Sequence, residues 1–308
     1  MSGIKIADIA YVRFNAPDLD AMEVFLGEFG LIRAERTENT LFMRGAGTSP
    51  FLHVTHKGEA GFVGLGFAAD SVNDLEILAG EEGVPLTRSD APGGGFLLQL
   101  TDPDGFRVDV VAGQTPVAPL ALPSREATND GRGAPRENLV KRVAAGPAHV
   151  LRLGHGVLNV TDFRTSEAWY KSRFGFITSD EIAIDGMPDS IGAFMRCDRG
   201  DAPTDHHTLF LVGSGSPKFN HAAFEVADFD DLMAGHEHLK ARQRSHEWGI
   251  GRHLLGSQIF DYWRDPWGHA VEHWTDGDRV NAAWGSHKVG LMDLIGTQWG
   301  PQAPPTMA

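Results

Sequence analysis

Histidine is spread unevenly over this chain of 308 residues: of 14 histidines, only His53 and His56 precede residue 149. Imidazole is the commonest metal ligand and titrates nearest neutrality, so metal or proton chemistry is expected in the second half. Three residues there stand out against their counterparts in the first half. His155 opens His155-Gly-Val-Leu-Asn-Val-Thr-Asp162, His221 opens His221-Ala-Ala-Phe-Glu-Val-Ala-Asp228, and Glu272 closes Asp265-Pro-Trp-Gly-His-Ala-Val-Glu272. The matching stretches run Tyr11 to Asp18, Gly64 to Asp70 and Asp102 to Asp109, so Tyr11, Gly64 and Asp109 hold the equivalent positions. Two imidazoles and one carboxylate form the set that holds Fe(II) on one face and leaves the opposite positions open to substrate and oxygen. Each residue alone is a weak sign. Glu272 also lies in an apolar run, where an unpaired carboxylate is costly and a metal resolves the cost. The three together predict a metal centre, and the first half is not expected to bind metal.

The elements that must position these residues follow from the same repeat. Tyr11 to Asp18 and His155 to Asp162 each read as an alternating strand leading into a helix. The helices are expected over Ala21 to Phe29 and Ser166 to Phe174, stopped by Gly30 and Gly175. Asp102-Pro-Asp-Gly and Asp265-Pro-Trp-Gly read as tight turns feeding a last strand. Each half therefore reads as strand, helix, strands, helix and hairpin, an α+β chain of tandem βαβββ modules in two domains. The expected boundaries are 1–112 for a non-catalytic first domain and 149–281 for the metal-binding catalytic one. Residues 113–148, with Pro116, Pro119, Pro123 and Pro135, read as a linker. The tail, 282–308, shows no strand pattern and is expected to drape over a site or fray.

Composition narrows the function classes. A chain of this length suggests about two domains with a sizeable core. With 27 basic against 41 acidic residues and a net charge of −14, it lacks the basic face of a nucleic-acid binder. Lone Cys197 excludes an internal disulfide and fits a reducing compartment. No signal peptide is read in Met1 to Ala10, and no apolar run approaches the roughly 20 residues of a membrane helix. A cytoplasmic protein without nucleic-acid or membrane partners is expected.

The chain resembles the type I extradiol ring-cleavage dioxygenases of the vicinal oxygen chelate superfamily, over about residues 5–300. The most specific stretch runs from Gly251 to Glu272: a histidine (His253), a tyrosine (Tyr262) before Asp265-Pro-Trp-Gly, then Glu272. The resemblance implies the vicinal oxygen chelate (glyoxalase-like) fold and a homo-oligomer. It implies cleavage of a catechol beside its diol, with Fe(II), or alternatively Mn(II), held by His155, His221 and Glu272, and with O2 as co-substrate. It further implies that His207 steadies activated dioxygen and serves as general acid. His253 and Tyr262 would hydrogen-bond the bound catecholate, and Val157 and Phe194 would line the substrate pocket.

The segment from Arg196 to Asp205 is longer than the family's turn, which leaves His206 and His207 as alternatives; the apolar run after His207 favours it. Leu255 stands where some members are polar. His236, His238, His246, His269, His273 and His287 match nothing in the signature and are expected on the surface. Trp263, Trp267, Trp274, Trp284 and Trp299 are expected in the core or a subunit contact, and Asp265 as a turn-former. Relatives with this fold also isomerise hemithioacetals, add thiols to epoxides, or only bind aromatic compounds. The His253–Tyr262 pair favours ring cleavage.

Overall fold

The computed structural model describes residues 3–124, 127–184, 186 and 188–305. Positions 1–2, 125–126 and 306–308, which fall in the expected first domain, linker and tail, lie outside the described residues. One βαβββ unit comprises β1 (Ile6–Ala16), α1 (Leu19–Phe29), β2 (Ile32–Arg36), β3 (Thr40–Arg44) and β4 (His53–Lys57). A second comprises β5 (Gly61–Ala69), α2 (Val72–Glu82), β6 (Thr87–Arg88), β7 (Phe96–Thr101) and β8 (Arg107–Ala112). The third is β9 (Val150–Val160), α3 (Phe163–Phe174), β10 (Ile177–Ala183), β11 (Gly192–Arg196), the short β12 (Thr204–Asp205) and β13 (Leu209–Gly213). The fourth is β14 (Lys218–Val226), α4 (Phe229–Ala241), β15 (Ser245–His253), β16 (Ile259–Arg264) and β17 (Ala270–Thr275).

Each half is thus two βαβββ units, in keeping with the strand, helix, strands, helix and hairpin read from its sequence. In the first half the strand order is β2-β3-β4-β1-β5-β8-β7-β6; in the second, β10-β11-β13-β9-β14-β17-β16-β15 runs in the same way. Antiparallel β1–β5 and β9–β14 pairs join the two units of each half. The register confirms the equivalences: Tyr11 faces Gly66 and Gly66 faces Asp109, as His155 faces Ala223 and Ala223 faces Glu272.

The helices start earlier than expected because an aspartate caps them ahead of the first apolar residue. Asp18 accepts from the Asp20 and Ala21 amides, and Asp162 from that of Thr165. Gly30 (φ +107°) and Gly175 (φ +66°) end them in the left-handed region. Both Asp-Pro turns are built alike. Asp102 Oδ1 accepts from the amides of Asp104 and Phe106, and Asp265 Oδ1 from those of Trp267 and His269.

One apolar core runs through both halves, with Phe25, Phe29 and Phe67 of the first against Phe174 and Phe224 of the second. His273 belongs to this core rather than to the surface. It is fully buried, stacks on Phe29 at 3.8 Å and donates from Nε2 to the Phe29 carbonyl at 2.7 Å. Strand alternation turns it away from Glu272 and against α1, where the carbonyl bond satisfies its Nε2. Trp263 and Trp274 are buried, whereas Trp284 and Trp299 are exposed.

The tail is more ordered than its sequence suggests. After β18 (Arg279–Val280), which pairs with β12, come β19 (His287–Gly290) on β10, α5 (Leu291–Leu294) and β20 (Thr297–Trp299) on β15. Strands this short carry no periodic signal; the free edges of the second sheet recruit them through backbone hydrogen bonds. No helix among the described residues is long and apolar enough to cross a membrane.

Candidate metal centre and substrate pocket

Three neighbouring strands of the second sheet bring His155, His221 and Glu272 together. The Nε2 atoms of His155 and His221 lie 3.4 Å apart, and 3.3 and 3.4 Å from Glu272 Oε2. All three residues are buried. Ligand atoms about 2.1 Å from one ion stand about 3.0 Å apart at right angles and about 3.4 Å apart at tetrahedral angles. The three atoms therefore suit a single metal ion. Neither oxygen of Glu272 accepts a hydrogen bond, although the residue is fully buried. Burial opposes its charge, yet the two imidazoles beside it hold the carboxyl below the usual carboxylate range. A buried carboxylate left without donors is the signature expected of a cation site.

One of the two imidazoles, that of His221, is also oriented from behind. His221 Nδ1 lies 2.8 Å from Asn220 Oδ1, and Asn220 Nδ2 donates to Asn159 Oδ1 at 3.0 Å. The amide oxygen can only accept, so Nδ1 carries the proton and the lone pair of Nε2 points at the trio.

In the first half the same register is closed. Tyr11 donates to Asp109 Oδ2 at 2.8 Å, Arg13 to the same oxygen at 2.9 Å and Arg107 to Oδ1 at 2.7 Å. Guanidinium groups thus occupy the carboxylate that corresponds to Glu272. At Gly64 a Cβ would come within 1.8 Å of the Arg107 carbonyl oxygen, so no imidazole fits opposite Tyr11.

Beside the trio opens a cavity of about 240 Å³ with an apolar wall. Val157, Phe194 and Leu255 line it, and Phe194 stacks on Phe210 at 4.0 Å. His207 lines it too, its ring 4.1 Å from that of His155. Burial, then the neighbouring imidazoles, hold His207 well below the usual imidazole range. Adjacent His206 does not line the cavity: its Nδ1 lies 3.1 Å from that of His207 and its Nε2 2.7 Å from Asp180 Oδ2. On the opposite wall His253 Nε2 and the Tyr262 hydroxyl are 3.0 Å apart. Burial lowers His253 to about 4, and burial with the Glu272 charge pushes Tyr262 well above the usual phenol range. All eight residues singled out in the sequence therefore meet at or beside one cavity.

Sequence reading missed several wall residues. Trp248 stacks on Tyr262 at 5.3 Å, and the cross-strand register of β15 with β16 is what brings it there. Leu291, Leu294 and Ile295 come from the tail. No lysine, arginine or aspartate lines the cavity among the described residues.

Comparison with known proteins places these features in context. The profile of the glyoxalase/bleomycin resistance protein/dioxygenase superfamily matches residues 152–273. Metapyrocatechase 2 of Cupriavidus necator is 30% identical over 306 residues, 97% of this chain and 90% of the relative. Biphenyl-2,3-diol 1,2-dioxygenase of Sphingomonas paucimobilis is 28% identical over 119 residues, 38% of each chain. Among solved structures, the homoprotocatechuate 2,3-dioxygenase of Brevibacterium fuscum in complex with 3,4-dihydroxyphenylacetate superposes with a TM-score of 0.78 at 21% identity. The match covers 99% of this chain and 92% of that one. An Mn(II)-bound glyoxalase from Novosphingobium aromaticivorans has a TM-score of 0.78 at 23% identity, covering 99% and 94%.

Proposed function

The chain belongs to the extradiol ring-cleaving dioxygenases of the vicinal oxygen chelate superfamily, and from that premise we propose which residues carry the reaction and which catechols it takes. The observation that carries the reading is the buried Glu272, free of hydrogen bonds between two imidazoles, at the foot of an apolar cavity. His155, His221 and Glu272 hold the metal, Fe(II) in this proposal, with Mn(II) compatible with the same donors. Bound there, the ion supplies Lewis acidity and a redox path between catechol and dioxygen.

The protein's own groups position the substrate and move its protons. Tyr262, kept protonated, donates a hydrogen bond to one catechol oxygen; His253, kept neutral, accepts from the diol. His207 sits across the metal site from this pair. Neutral at rest, it takes a substrate proton and returns it as general acid when the O–O bond breaks. The carbon–carbon bond beside the diol opens, and both oxygen atoms enter the product. We further propose residues 1–112 as support for a catalytic unit of 149–281, linked by 113–148 and covered by the tail of 282–308. The proposed setting is a cytoplasmic homo-oligomer acting on a small molecule, without nucleic-acid or membrane partners.

The wall limits the substrate. With no lysine or arginine among the described wall residues to meet it, a carboxylate on the catechol would be buried unpaired, a cost of several kcal/mol. Neutral catechols with apolar substituents are the proposed class. The Fe(II)-loaded enzyme is expected to turn over 3-methylcatechol or 2,3-dihydroxybiphenyl with a kcat/KM at least about 100-fold above that for 3,4-dihydroxyphenylacetate. Equal values would overturn this assignment.

Asn220 offers a check on the ligand set that leaves the ligands intact. Asn220→Leu removes the acceptor that fixes the His221 tautomer. Metal affinity is expected to fall about 10–100-fold, as is typical when the partner of a ligating histidine is lost. Titration of the metal-free protein with Fe(II) or Mn(II) reads this directly; an unchanged affinity would remove His221 from the ligand set.

A further inference from the structure

A second set of two imidazoles and one carboxylate lies outside the cavity, on the outer face of the β15–β16 hairpin where α4 covers it. His236 comes from α4, His246 from β15 and Asp261 from β16, next in sequence to Tyr262 but on the opposite face of the strand. His236 Nδ1 lies 3.1 Å from Asp261 Oδ2, and His246 Nε2 lies 2.8 Å from Oδ1. The two rings stand 5.1 Å apart at 86°, so they approach the carboxylate from different directions. Asp261 is fully buried and its Oδ2 also accepts from Trp263 Nε1 at 2.6 Å. An N–H donor behind a carboxylate is the arrangement that orients a ligating oxygen. His246 is exposed, which gives an ion a way in from solvent.

We propose that His236, His246 and Asp261 form a second, surface-accessible site for a borderline divalent cation of the Zn(II), Co(II) or Ni(II) class. Two nitrogens and one oxygen match the preference of these ions over Mg(II) or Ca(II), with water completing the coordination. The ion replaces the hydrogen bonds of the two imidazoles to Asp261 with three coordinate bonds, two from nitrogen and one from oxygen, after small side-chain shifts. Because the ligands come from a helix and both strands of a hairpin, it ties α4 to the element that carries His253 and Tyr262. The site draws on none of the residues assigned to the first metal centre.

The test is calorimetric titration of the metal-free full-length protein with Zn(II). The wild type is expected to take two equivalents and His246→Ala one; His246 is exposed, so its loss leaves the fold intact. Glu272→Gln is expected to retain the equivalent that His246→Ala loses, which separates the two sites. The wild type's thermal midpoint should rise further between the first and second equivalents, and this second rise should vanish in His246→Ala. A wild type that takes a single equivalent, unchanged in His246→Ala, would reduce the cluster to a hydrogen-bonded His–Asp–His network and overturn the proposal.

Discussion

Glu272→Gln is expected to lose the metal held with His155 and His221 while keeping its fold. Gln has the shape of Glu and can still offer one oxygen, but it withdraws the only anionic donor of the trio. Loss of a hydrogen-bonding partner behind a ligand already costs about 10–100-fold in affinity, so loss of the charged ligand itself should cost more than about 100-fold. The consequence is also visible in stability. An ion that binds only the folded protein stabilises it by about 2.7 kcal/mol at 100 times its dissociation constant, so metal should raise the wild type's unfolding midpoint. That rise should be absent in Glu272→Gln at the same metal concentration. The check is thermal unfolding with and without Mn(II), an ion that avoids the oxidation of Fe(II), alongside metal analysis of the desalted protein. A variant that retains wild-type metal content would remove Glu272 from the centre.

The second large effect is expected at His207. His207→Phe should keep the metal, since the ring does not belong to the trio, and a phenyl group fits beside Phe194 and Phe210. What it removes is the group that takes and returns the proton, typically worth about 10²–10⁴-fold in rate. The loss should fall on kcat, with KM and metal affinity little changed, in a steady-state assay at saturating O2. His206→Phe separates the two neighbours. It breaks the contact of His206 Nε2 with buried Asp180 and leaves that carboxylate without its 2.7 Å partner, so stability should suffer before chemistry does. The reverse outcome, full activity in His207→Phe and none in His206→Phe at equal stability, would move the role one residue back.

The trio was legible in the sequence because the repeat supplied its own control. Where the second half has His155, His221 and Glu272, the first has Tyr11, Gly64 and Asp109, and the register puts both sets at matching positions. The helix stops and the Asp-Pro turns were equally plain, since glycine at positive φ and aspartate at a turn are local effects. The individual short strands within each half were not. Strands such as β2, mostly exposed, and β6, two residues long, give no alternation to read. Long-range packing hid the rest. His273 looks like any surface histidine until α1 closes over it. His206 and His207 are neighbours, and only the fold decides that His207 lines the cavity while His206 reaches Asp180. Leu291, Leu294 and Trp248 join the cavity wall through pairings that leave no motif in the chain.

The cavity is expected to open a catechol ring beside its diol. The most direct measurement is turnover of 3-methylcatechol under ¹⁸O2 by the Fe(II)-loaded protein, followed by absorbance and mass spectrometry of the product. The expected product is a yellow ring-opened 2-hydroxydienoic acid, with a methyl ketone or an aldehyde at its far end, that carries two labelled oxygen atoms and is not formed by Glu272→Gln. A product with an intact ring, cleavage between the two hydroxyl carbons, or label absent from the product would contradict this expectation.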